Sequence, residues 1–125
     1  MSIKFKIAKS PEDLDRVFRL RHQVLVEGQN VFPPSPDGRL VDRFDAYPTS
    51  INIFAESDGT PVGSLRLTVG SECGLASDDI FDYKPCLPMD CRRVVSETMM
   101  CLDPAFRKNP KLLSGLVFHS FDDGI

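Results

Sequence analysis

Arg21 is the residue that fits its surroundings least. Leu14, Val17, Phe18, Val24 and Leu25 recur at helical spacing, and Arg21 falls three beyond Phe18 and four before Leu25, at the centre of their apolar stripe. A guanidinium there is too costly to bury alone and calls for carboxylates that can take it bidentately. Asp42 and Asp45 are such carboxylates, in a charged and aromatic stretch from Arg39 to Tyr47. The bland alternatives are a fold-holding ion pair or an arginine that snorkels to the surface. Arg66 is a second cation, sharing a strand face with Ser64 and Thr68. Arg107, Lys108 and Lys111 form a third set, just ahead of a helical pattern, where the helix N-terminus would help them hold a phosphate. An ordinary basic helix start reads the same way.

Composition narrows the partners. The 125 residues are 42% hydrophobic, 9% aromatic and 26% charged, which suits one globular domain with its own core. A net charge of −3 lacks the positive field that nucleic-acid binding needs, and no apolar run approaches the length of a membrane span. The N-terminal Met-Ser-Ile-Lys-Phe-Lys has no uninterrupted apolar stretch of the kind a secretion signal carries, so a reduced, cytoplasmic setting is expected. Cys73, Cys86, Cys91 and Cys101 contain no C-x-x-C pair. A zinc site using the first three with His22 or His119 would have unusually wide spacing. Both histidines read as packing or surface residues, and no metal is expected.

The elements that must position these side chains follow from period and punctuation. Ile3, Phe5 and Ile7 alternate with lysines, as in a half-buried strand. Ser10-Pro11-Glu12-Asp13 is a helix start, and the helical stripe predicts one helix through Leu25. The chain then loosens from Glu27 to Arg39. Ile51–Glu56 and Val62–Val69 read as strands of a hairpin around Asp58-Gly59. A long connection from Gly70 to Cys91 suggests a helical turn near Asp78–Phe81. A strand over Arg92–Leu102 and a helix over Leu112–Phe121 follow.

Three segments then resemble a known family. Phe18-Arg19-Leu20-Arg21-His22-Gln23-Val24-Leu25-Val26-Glu27 is similar to the first-helix signature of the acyl-homoserine-lactone (autoinducer) synthases. It is equally similar to that of the N-acyl amino acid synthases, their relatives in the GNAT N-acyltransferase superfamily. Val41-Asp42-Arg43-Phe44-Asp45 resembles the acidic segment that follows, and Asp58-Gly59-Thr60-Pro61-Val62-Gly63-Ser64-Leu65-Arg66-Leu67 resembles the hairpin. The sequence departs from the pattern at Leu25 and Leu40, where those families carry Phe and Glu. Counting back from Asp103-Pro104 puts Ser96 and Met99 at the positions of a fourth-strand Glu and Arg. Glu97 is one residue off register, and Arg107-Lys108-Asn109-Pro110-Lys111 lacks the glycines of a pantetheine loop.

The resemblance implies an α+β, three-layer α/β/α fold of GNAT type over residues 1–125, with a mostly antiparallel sheet and the family's C-terminal part missing. It also implies N-acyl transfer from an acyl-carrier-protein or acyl-CoA thioester to an amino-acid-like amine, with no permanently bound cofactor and no cysteine nucleophile. Arg21, Asp42 and Asp45 would shape the cleft, and Arg66 would bind an acceptor carboxylate. Glu97 or Ser96 would handle the proton, and Arg107, Lys108 and Lys111 would hold the phosphopantetheine or an acidic carrier protein. Two rival readings use the same residues: an inactive binding module for acyl thioesters or carrier proteins, and a half-domain completed by homodimerisation through its fourth strand.

Overall fold

A computed structural model describes residues 3–47, 49–69 and 95–124. Strand β1 spans Ile3–Ile7, helix α1 Pro11–Arg21, β2 Ser50–Ser57, β3 Thr60–Val69, β4 Val95–Leu102 and helix α2 Pro110–Gly124. The strands form one sheet in the order β1-β2-β3-β4, every pairing antiparallel, with α1 on one face and α2 on the other. This is the expected three-layer arrangement. The helical turn anticipated near Asp78–Phe81, and the first residues of the strand expected from Arg92, lie outside the described residues.

Local chemistry accounts for most element ends. Ser10 Oγ accepts the Asp13 amide at 3.1 Å and Pro11 opens α1. Asp58 and Gly59 both have positive φ (50° and 81°), the conformation that a two-residue hairpin turn requires between Ser57 and Thr60. One expectation fails. The helical stripe runs to Leu25, but α1 ends at Arg21 and continues as a wider π-helical turn over His22–Gly28, where the chain was expected to have loosened by Glu27. Its last amide bond reaches five residues back, from Gln29 N–H to Val24 C=O at 2.9 Å. Val24, Leu25 and Val26 are buried in succession along this turn.

The two faces of the sheet hold different cores. On the α2 side Ile53, Ala55 and Val62 pack with Leu112 and Leu116, and Phe5, Met100 and Leu102 fill in around them. On the α1 side Val17 packs on Phe54, while Leu20, Val24 and Leu25 pack on Cys101. A bulge in β4 separates the sets. Arg66 pairs with Thr98 but Ser64 pairs with Cys101, so Leu65 alone faces both Met99 and Met100, and Met99 takes φ 56°. The extra residue sends Cys101 to the α1 core and Met100 to the α2 core.

Helix α2 meets the sheet through an aromatic wedge. A Cβ on Gly115 would lie 2.1 Å from Phe5 Cζ, and His119, one turn on, stacks on the same ring at 4.9 Å. Gly115→Ala should therefore destabilise the chain by about 1–3 kcal/mol through overpacking, despite alanine's better helix propensity. Urea unfolding checks this. Combining the change with Phe5→Leu should recover part of the loss, whereas strictly additive losses would disprove the contact.

Candidate functional site

The α1 face of the sheet, beyond the Phe54 core, carries two guanidiniums bound between two carboxylates. Arg21, fully buried at the end of α1, donates from Nη1 to both oxygens of Asp45 at 3.0 and 2.9 Å, and from Nη2 to Asn52 Oδ1 on β2. Arg66, on β3 and 1% exposed, donates from Nη1 to Asp42 Oδ1 at 2.5 Å and from Nη2 to Asp42 Oδ2 at 3.0 Å. Its Nη1 also lies 3.2 Å from Asp45 Oδ2, and its Nε donates to Thr98 Oγ1 on β4 at 3.1 Å. Asp45 thus bridges the two arginines. The rings of Phe18 and Phe44 lie against the Arg21 and Arg66 guanidiniums at 5.3 and 5.7 Å.

The acidic segment places both carboxylates because it folds as a capped 3-10 turn over Arg43–Ala46. Asp42 Oδ1 accepts the Phe44 amide at 2.9 Å, and Asp45 Oδ2 accepts the Asp42 amide at 3.1 Å. Asp42 is the outermost member, its side chain 35% exposed against 2% for Asp45. Burial raises the pKa of Asp42, but hydrogen bonds and charge from Arg66, the Phe44 amide and the charge of Arg21 outweigh it and hold the group below the usual carboxylate range. Burial pulls the Arg21 guanidinium below its ordinary pKa, and the charge and hydrogen bonds of Asp45 offset part of this. Arg21 Nε has no hydrogen-bond partner among the described residues.

Of the residues singled out from sequence, the structure brings Arg21, Asp42, Asp45 and Arg66 together. Arg66 joins the network rather than standing free to solvent. Ser96 lies opposite Thr68 on the same face as Arg66, whereas Glu97 lies opposite Leu67 and is exposed on the α2 side. The bulge comes after Glu97 and leaves its face unchanged. Arg107 and Lys108 do not reach the network. With Asn109, Leu113, Val117 and Phe118 they line an open groove of about 680 Å³ along α2, and Lys111 is exposed as the second residue of that helix.

Asn52, Thr98 and Phe44 were missed. Asn52 had a signal, being the one amide in the apolar run Ile51-Asn52-Ile53-Phe54. His22 is buried and its Nε2 accepts the Ser35 amide at 3.2 Å, a packing role. Cys73, Cys86 and Cys91 lie outside the described residues. Among the described ones no His, Cys, Asp and Glu set is grouped as a metal site, and no helix is long and apolar enough to cross a membrane.

The family model of the N-acyl amino acid synthase FeeM matches residues 16–122. No curated protein sequence matches the chain. Among solved structures, FeeM from uncultured soil microbes superposes with a TM-score of 0.71 at 14% identity, over 99% of this chain and 67% of that one. BjaI, a CoA-dependent acyl-homoserine lactone synthase, gives 0.70 at 24% identity over 92% of this chain and 56% of that one. The AHL synthase LasI gives 0.67 at 15% identity, over 99% and 68%. At these identities the likeness shows the GNAT-like acyltransferase fold, and the chain spans 56–68% of these three structures.

Two outcomes follow from the geometry. Arg21→Ala should cost about 3–5 kcal/mol in urea unfolding, because it strands Asp45 beside a single remaining arginine; a loss below about 1 kcal/mol would show that Arg21 is not a partner the fold needs. Asp42 and Glu56, the latter held by hydrogen bonds from Lys6 and Arg16, both titrate below their ordinary values of 3.8 and 4.5. The folded chain therefore binds fewer protons than the unfolded one, so their stabilisation is complete above those values and drains away as pH falls below them. Urea melts should show stability falling below about pH 4, and less steeply in Asp42→Asn.

Proposed function

Because the chain belongs to the N-acyl amino acid synthase FeeM family, we propose that it forms the core of an N-acyltransferase. It would move an acyl group from a coenzyme A or acyl-carrier-protein thioester to an amino-acid-like amine. The observation that carries this reading is the extent of the family match. Residues 16–122 run from α1 through the acidic turn, the hairpin and β4 into α2, and so include every member of the buried ion-pair network.

The chemistry needs two reactants side by side. The acceptor ammonium loses one proton to water, and its free nitrogen attacks the thioester carbonyl. The C–N bond forms and the C–S bond breaks, and the second nitrogen proton is lost as the thiolate takes up a proton and leaves as the thiol. No covalent enzyme intermediate is required, since the thioester is already activated and positioning supplies much of the rate. The Met99–Met100 bulge carries a residue outside the regular ladder, and its backbone N–H groups suit the oxyanion. Ser96, on the Arg66 face, suits orienting the amine or a water. Glu97 points to the other face and would have to act from there. Arg107, Lys108 and Lys111 suit the phosphates of the donor or the acidic surface of a carrier protein. BjaI is CoA-dependent, so an acyl-CoA is the first donor to try. The same reading places the chain in the cytoplasm, with the donor pool.

A second reading, an inert module that binds acyl thioesters or carrier proteins, is favoured by one observation. The two arginines and two aspartates already bind one another, and Glu97 faces away from them.

Incubation with acyl-CoA and acyl-carrier-protein donors and a panel of amino acids, followed by mass spectrometry, separates the two. The transferase gives an N-acyl product, and the double variant Arg107→Glu/Lys108→Glu should raise the donor KM about tenfold, the equivalent of about 1.4 kcal/mol. Donor binding without product from a folded chain supports the module, and a folded chain showing neither overturns both readings. Native mass shows whether a second copy completes the active form.

A further inference from the structure

Helix α2 is apolar on two sides. Leu112 and Leu116 are fully buried against the sheet. Leu113 and Val117 each follow one of them by a single residue, about 100° round the helix, and with Pro110 and Phe118 they line the outer groove. Leu113 is 47% and Phe118 65% exposed, and both lie in this one groove rather than scattered over the surface. A helix with apolar residues toward the core and away from it calls for cover on both sides.

The charges along α2 run against its own dipole. Arg107, Lys108 and Lys111 stand at its N-terminal end, and Asp122 and Asp123 in its last turn. No acidic residue occupies the first turn and no basic one the last. A helix start carries partial positive charge and favours anions, and a helix end favours cations, so both ends of α2 are charged the wrong way for the helix alone. A second α2 lying antiparallel across the groove corrects this at both ends. Its Asp122-Asp123 end comes beside the basic start, and its basic start comes beside the Asp122-Asp123 end. A parallel pairing would set like charges together.

We propose that the outer face of α2 is a self-association surface whose occupant is a second copy of this chain, packed helix against helix about a two-fold axis. Pro110, Leu113, Val117 and Phe118 of each copy fill the groove of the other. The charged ends fix the antiparallel direction. The contact is separate from a pairing of fourth strands, and it does not depend on the transfer reading.

Sedimentation equilibrium of the full chain over a range of concentrations tests this. A one-helix interface is small, so a dimer forming in the micromolar to millimolar range is expected. Leu113→Asp/Phe118→Asp, both at exposed positions, should leave the chain folded and monomeric. Lys108→Glu/Lys111→Glu and Asp122→Lys/Asp123→Lys should each weaken self-association at least about tenfold. Neither should lower the melting temperature, because each gives α2 the charges its dipole prefers. An equimolar mixture of the two charge variants should recover a dimer, since one is then acidic at both ends of α2 and the other basic at both. Should either charge variant fail to fold, the wild type and Leu113→Asp/Phe118→Asp decide alone. A chain that stays monomeric throughout overturns the proposal, and binding to phosphatidylglycerol vesicles instead would give the face to an anionic membrane. A dimer that survives Leu113→Asp/Phe118→Asp, or folded charge variants whose mixture stays monomeric, overturns it as well.

Discussion

Two guanidiniums buried between two carboxylates set the terms for the rest of the fold. Taken singly, either arginine would be intolerable on this face of the sheet, since desolvating one unpaired ion costs several kcal/mol. Together with Asp42 and Asp45 they sum to zero charge, and most of their donors find acceptors. The partners come from five elements: Arg21 from α1, the aspartates from the 3-10 turn, Asn52 from β2, Arg66 from β3 and Thr98 from β4. A slip of any one element would strand a charge or a buried guanidinium donor. The network thus specifies an arrangement more than it adds net stability.

The sheet divides its labour by face. The α2 side is apolar, closed by Leu112 and Leu116 and by the Phe5 ring against Gly115. The α1 side is apolar only where α1 and the π-helical turn cover it, and becomes charged where the acidic turn takes over. The β4 bulge makes this division possible. Without the extra residue, Cys101 would point to α2 and Met100 toward Ser64, and neither core would close. Apolar packing and the charged site are therefore fixed by the same irregularity.

Much of this was legible in the sequence, and the failures have physical causes. Arg21 betrayed itself by interrupting an apolar stripe, and Asp58-Gly59 named its turn because few residue pairs tolerate two positive φ angles. Arg66 was harder. Alternation assigns a strand residue to a face but does not say whether that face is wet, and what dries this one is a turn twenty-odd residues upstream. The π-helical turn left no mark in an amphipathic pattern read at 3.6 residues. Ser96 and Glu97 were ambiguous because strand register depends on bulges that single sequences do not announce.

The layout of the network also bears on why it exists. If its purpose were cohesion alone, well-packed apolar side chains of similar volume would serve as well, as is often found when buried ion pairs are replaced. Such a device would also be sealed. Here burial is graded instead: Arg21 and Asp45 are buried, Arg66 is buried beneath Asp42, and Asp42 emerges. A chain of charges that begins in the core and ends in a partly exposed carboxylate keeps that carboxylate ionised, fixed in orientation and uncollapsed. Cohesion requires none of those properties. Fixing one register of the acidic turn against β3 and β4 requires a carboxylate that stays ionised and oriented.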